Sequence, residues 1–135
     1  MELYRLTASE LSRMMQKKEV SSAEITRSVF DRIAQKEPEI EAYITLDEEG
    51  ALKKAAEVDE KRAKGESLPP LAGIPVGIKD NICLKGLPAT CASKMLQNFV
   101  PPYNATVIEK LNAQDCVYTG KLNMDEFAMG SSTET

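Results

Sequence analysis

A chain of 135 residues that is 42% hydrophobic and 28% charged has the balance of a folded globular protein, and its length suits one modest domain. A net charge of −4 and a pI near 5.0 argue against binding to a phosphate backbone, which rests on clustered Lys and Arg. No stretch approaches the about eighteen apolar residues of a membrane span, and the opening MELYRLTASE carries neither a secretory nor an Arg-rich transit pattern, so the cytoplasm is the expected compartment.

Thr7 and Glu10 have the spacing of a capping box, with Leu6 and Leu11 placed to close a hydrophobic staple, and together they predict a helix starting at residue 8. Ser21 and Glu24 repeat the pattern, Val20 and Ile25 repeat the staple, and Ile25, Val29 and Ile33 form one apolar stripe. This second helix is expected to stop before Pro38, because the residue preceding a proline is steered out of helical space. Residues 40 to 46 alternate and predict a short half-buried strand with Ile40, Ala42, Ile44 and Leu46 on its inner side. From Ala51 to Lys64 nearly every residue favours a helix, and Gly65 stands where a left-handed cap belongs. The pairs Lys17-Lys18 and Lys53-Lys54 are flanked by acids and read as solvated helix faces.

At GESLPPLAGIPVGIKDN charge falls away and Pro and Gly punctuate an aliphatic run. That shift divides the chain into a helical preface at 1–65 and the opening of an α/β core at 66–135. In PVGIKDNI, Pro75 suits the first position of a strand, which would send Val76, Ile78 and Asp80 to one side and Gly77, Lys79 and Asn81 to the other. Asn104 is placed to cap a helix with Val107, Ile108 and Leu111 on its inner face, and CVYT follows as a second strand. Strand, helix, strand implies a parallel pair, hence an α/β sheet whose ligand site lies beyond the carboxyl ends of its strands, at Lys79 to Asn81 and Lys121 to Glu126.

Chemistry is bounded by the absence of histidine, which closes the Ser-His-Asp and Cys-His routes to an activated nucleophile and removes the commonest metal ligand. The three cysteines, Cys83, Cys91 and Cys116, are odd in number and contain no C-x-x-C pair, so neither a disulfide framework nor a metal site is expected. Lys, Ser and the carboxylates remain.

Two segments, LAGIPVGIKDNI at 71–82 and ATVIEKLNAQDCVYTGKLNMDEFAMGSSTE at 105–134, resemble the amidase-signature enzymes. The part GKLNMDEFAMGSSTE is most similar to the branch formed by the A (glutaminase) subunits of tRNA-dependent amidotransferases. The resemblance implies an α/β fold in which N-terminal helices precede the first strands and crossover helix of an α/β/α sandwich, incomplete within these residues. It also implies a catalytic unit of a lysine, a bridging serine and a nucleophilic serine. Lys79 matches the lysine, whose task would be to take a proton through the bridging serine while the nucleophile attacks the carboxamide of glutamine. That chemistry requires a neutral amine, whereas an exposed lysine ordinarily titrates near about 10.4, so burial or neighbouring positive charge is required at the site.

Met129, Gly130 and Ser131 match the segment that approaches the acyl pocket and are candidate glutamine-binding residues; a plain Gly-Ser loop is the alternative. Asp80 and Asn81 are expected to orient local backbone. Both catalytic serines are expected in a Gly/Ser-rich stretch beyond Thr135, so residues 1–135 alone are expected to be inactive. By the same resemblance the partners would be glutamine and the B and C subunits, with tRNA, ATP and Mg held mainly by the partner subunits and no cofactor bound here. A non-catalytic binding or assembly module and a stand-alone amidase of small amides stay open. One departure from the family is Gln114-Asp115 before Cys116, where glycine usually makes the turn.

Overall fold

The computed structural model describes residues 1–133. Both capping boxes form. Thr7 starts helix α1 (Ala8–Gln16) and Ser21 starts helix α2 (Ser22–Ile40), each serine or threonine hydroxyl accepting from the backbone N–H three residues on, and each glutamate returning the bond. The staple residues Leu6 and Val20 pack with Leu11, Met15, Ile25 and Ile74 in one apolar cluster. Complete burial of Met15 and Ile25 is worth about 1.5–3 kcal/mol each. A second anchor comes from Asp59, whose carboxylate accepts from the N–H groups of Ser22 at 2.7 Å and Ala23 at 3.0 Å. It thereby satisfies donors that any helix start leaves over.

Helix α2 does not stop before Pro38 but carries it in its last turn and ends at Ile40. So close to the end, the bond that proline removes and the crowding of its ring disturb only the final turn. The chain then turns at Glu41, whose N–H donates to the Glu37 carbonyl at 2.9 Å with φ at +53°, while the Glu37 carboxylate receives the N–H of Tyr43 at 2.8 Å.

Strand β1 (Tyr43–Leu46) has the expected period and the opposite phase. Tyr43 and Thr45 face inward, with the Tyr43 hydroxyl 2.9 Å from Thr119 Oγ1, while Ile44 and Leu46 are 39% and 43% exposed. Helix α3 (Glu48–Ala63) begins earlier than propensity alone predicts, because Asp47 caps it by accepting from the Gly50 N–H at 3.1 Å. Its end is closed at Gly65 with φ at +77°.

Strands β2 (Pro75–Lys79) and β3 (Val117–Leu122) pair in parallel and are joined through helix α4 (Thr106–Ala113). Strand β1 pairs antiparallel on the other side of β3, giving a mixed sheet of order β1-β3-β2. Alternation along β3 sends Val117 to one face, against Phe30, Ala51 and Ala55, and Tyr118 to the other, against Ile78, Leu84 and Ile108. Helix α4 buries Ile108 as expected, but Val107 is 46% exposed, and Asn104 is not its cap. The Asn104 side chain instead accepts from the Lys85 N–H at 2.7 Å.

At the turn into β3, Asp115 adopts φ +54°, the left-handed conformation that glycine usually fills. Its carboxylate is gripped by Lys54 at 2.7 Å and Lys61 at 3.2 Å, which hold it below the usual carboxylate range, the Lys54 bond being the main cause. Lys54 is therefore a tie between α3 and the sheet, not part of a freely solvated face.

Candidate functional site

Lys79 is the last residue of β2 and projects to the exposed side, while Ile78 and Asp80 turn inward, as the strand's alternation requires. Among the described residues its ammonium makes no hydrogen bond or ion pair, and residues 1–133 do not bury it. Asn81 is exposed beside it.

Asp80 is wholly buried and bonded through every polar group it has. Its N–H donates to the Leu122 carbonyl at 3.1 Å, and its carbonyl accepts from the Cys91 N–H at 3.2 Å. One carboxylate oxygen accepts from the Thr90 N–H at 3.1 Å and from the Thr90 hydroxyl. The other stands 3.2 Å from the ammonium of Lys121, which also donates to the Pro88 carbonyl at 3.0 Å. Lys121 is itself fully buried and lies within β3, whereas the sequence places it beyond the strand's end. Sequence reasoning missed Thr90, and it placed Lys121 at the ligand end of the sheet without foreseeing its burial or its pairing with Asp80. The available signal was a lysine directly after the strand-forming run VYTG, where a strand interior asks for a partnered charge.

Met129, Gly130 and Ser131 follow a short 3-10 turn at Glu126–Ala128. Met129 is 81% exposed, and Gly130 and Ser131 lie on the surface. The loop folds over Asp125, which accepts from the Thr133 N–H at 2.8 Å, and a Cβ on Gly130 would come within 2.7 Å of the Asp125 carboxyl carbon. A backbone bond from the Phe127 N–H to the Cys91 carbonyl at 3.0 Å joins this loop to the 88–91 segment. The arrangement thus links Lys79, Asp80 and the 129–131 loop through residues 88–91. Among the described residues no group of three His, Cys, Asp or Glu side chains has the geometry of a metal site, and no helix is long and apolar enough to cross a membrane.

A parallel strand pair in a sheet covered by helices on both faces defines an α/β protein, a class whose ligands usually sit beyond the carboxyl ends of the strands. The chain belongs to the amidase family, whose sequence model matches residues 24–135. It is 62% identical over 134 residues to the A subunit of the glutamyl-tRNA(Gln) amidotransferase of Desulforudis audaxviator, covering 99% of this chain and 27% of that protein. The corresponding subunit of Carboxydothermus hydrogenoformans is 55% identical, over 99% of this chain and 28% of that protein. Among solved structures, an inhibitor-bound protein from a vestigial complex tied to the origins of an s-triazine catabolic enzyme superposes with a TM-score of 0.92 at 30% identity, over 96% of this chain and 28% of that one. The peptide amidase of Stenotrophomonas maltophilia gives 0.84 at 33% identity, over 91% and 26%. The chain therefore spans about a quarter of the length of the proteins it matches.

Proposed function

We propose that these residues form the amino-terminal part of a glutamine-hydrolysing amidotransferase subunit, with Lys79 as its lysine base. The observation that carries this reading is the placement of Lys79 at the carboxyl end of β2 with its ammonium uncommitted, beside Lys121, whose ammonium is committed to Asp80 and Pro88. Of the two lysines at the strand ends, only Lys79 is free to exchange a proton with a reacting group. Burial of its amine would come from residues outside 1–133, which would also contribute the bridging serine, the nucleophile and the donors for the oxyanion. Residues 1–135 alone would then be inactive.

In the whole protein, Lys79 would accept the proton of the nucleophile through the bridging serine and return it to the departing ammonia. Met129, Gly130 and Ser131 would line the approach of the glutamine side chain. Ammonia would pass to partner subunits that hold ATP, Mg and the misacylated glutamyl-tRNA. Identity is 62% to a glutamyl-tRNA(Gln) amidotransferase chain but 33% to a peptide amidase, which supports glutamine over other amides.

The test is ammonia release from glutamine by the protein as its source makes it, purified with its partner subunits. The Lys79→Ala variant is expected to lose about three or more orders of magnitude in kcat/KM with an unchanged circular dichroism spectrum, since members of such units fail singly. Near-normal turnover by that variant would overturn the assignment.

A further inference from the structure

We infer that the buried Asp80–Lys121 ion pair is the positioning element for Lys79, fixing the strand end that presents it and the 88–91 segment bonded to that end. The inference rests on the reading of Lys79 as the base. Ion pairs with no solvent contact are weak sources of stability, because neutral side chains of similar volume commonly serve as well. In some proteins a buried polar or ionic group instead serves to hold one geometry. Here both partners are fully buried, and the acid is the residue next to Lys79 in the chain.

Alternation in a strand makes the two neighbours act on opposite sides: the bonds of Asp80 anchor the inner side while Lys79 is presented on the outer one. Through Asp80 the end of β2 is tied to β3 at Leu122 and Lys121, and to the 88–91 segment at Thr90 and Cys91. Lys121 holds the same segment again at Pro88, and Cys91 passes the tie on to Phe127. Both contact points are strained. Cys91 and Ala92 have φ of +51° and +55°, and Phe127 and Ala128 have +50° and +59°, none of them glycine. Residues persist in that region only when their surroundings over-determine them. The pair and its bonds are the surroundings in question.

Positioning of this kind predicts a loss in turnover with little change in substrate binding, since misplacing a reacting group by about 1 Å can cost about 100-fold. The experiment uses the complete protein with its partner subunits, and normalises rates to active sites. In Asp80→Asn/Lys121→Met the buried charges are gone and shape is nearly kept, so the protein is expected to fold, with a lowered melt because the introduced amide and the Pro88 carbonyl lose a partner. Its kcat for glutamine hydrolysis is expected to fall about tenfold or more, with KM within about threefold. Thr90→Val, which severs the hydroxyl tie and leaves the ion pair, should lower kcat in the same direction, and Thr90→Ser should restore it. A folded double variant with parental kcat would overturn the inference. If the double variant does not fold, equal kcat for Thr90→Val and Thr90→Ser would overturn it instead. Lys79→Ala, run alongside, separates the two claims: activity in Lys79→Ala removes the base assignment itself, whereas inactivity there with a fully active double variant removes only the positioning role.

Discussion

Replacing Asp115 with Asn removes one negative charge and little else, because asparagine has nearly the same shape and tolerates the φ of +54° that this turn requires. What is lost is the grip of Lys54 at 2.7 Å and Lys61 at 3.2 Å. Asp115 is 17% exposed, while the two lysines are 32% and 39% exposed, so the pairs sit partly in water and Lys61 in particular is screened. Partly exposed pairs contribute about 0.2–1 kcal/mol each, and the substitution should cost about 1–2 kcal/mol near neutral pH.

The pH dependence gives the sharper test. The folded state holds the Asp115 carboxyl below its ordinary value, chiefly through the Lys54 bond. A depressed carboxylate contributes stability above its unfolded value of about 3.9 and loses it as pH falls through the folded value. The gap between parent and Asp115→Asn should therefore be full at neutral pH and close in acid. Thermal unfolding followed by circular dichroism across that range measures it. A gap that is absent at pH 7, or that persists unchanged at the acid end, would show that Asp115 is kept for its turn conformation alone.

Two further perturbations probe the scaffold. Gly120→Ala should destabilise the fold by about 3 kcal/mol or more, because the glycine has φ +151° and a Cβ there would stand 2.1 Å from the Thr45 carbonyl oxygen; loss of amide protection along β1 is the accompanying readout, and a parental melt would refute the argument. Ser21→Ala removes the α2 capping hydroxyl and should cost about 0.5 kcal/mol in urea unfolding, less than the about 1 kcal/mol of a simple cap, because Asp59 goes on holding the first two N–H groups.

The helix starts were legible because caps are local: Thr7 with Glu10 and Ser21 with Glu24 satisfy their own donors within three residues, whatever else the chain does. Lys79 and Asp80 were legible as a pair pointing apart, since strand alternation needs no knowledge of the partner strand. The errors share a different origin. The inward side of β1 was misassigned because which face of an alternating strand is buried depends on what packs there, and here the Thr119 hydroxyl meets Tyr43. Asn104 has the chemistry of a cap, but the distant Lys85 N–H competes for it. The turn at Asp115 lacks its glycine and is stable where α3, far away in sequence, delivers two lysines.

The burial of Lys121 depends on a single irregularity that no local pattern announces. Val76 lies opposite Tyr118, but Gly77 lies opposite Gly120, so β3 carries one extra residue at Thr119. Had the register continued unshifted, Lys79 would stand opposite Lys121 on the same face, two like charges side by side, an arrangement that is destabilising between strands. The bulge reverses the phase of β3 beyond it, setting Lys121 opposite Ile78 and within reach of Asp80, and Leu122 opposite Lys79. A bulge re-aims a side chain in this way wherever one extra residue is inserted. One inserted residue thus separates the two lysines into different roles: one is turned inward and fixed by an acid, and the other is left at the strand end with its amine unengaged.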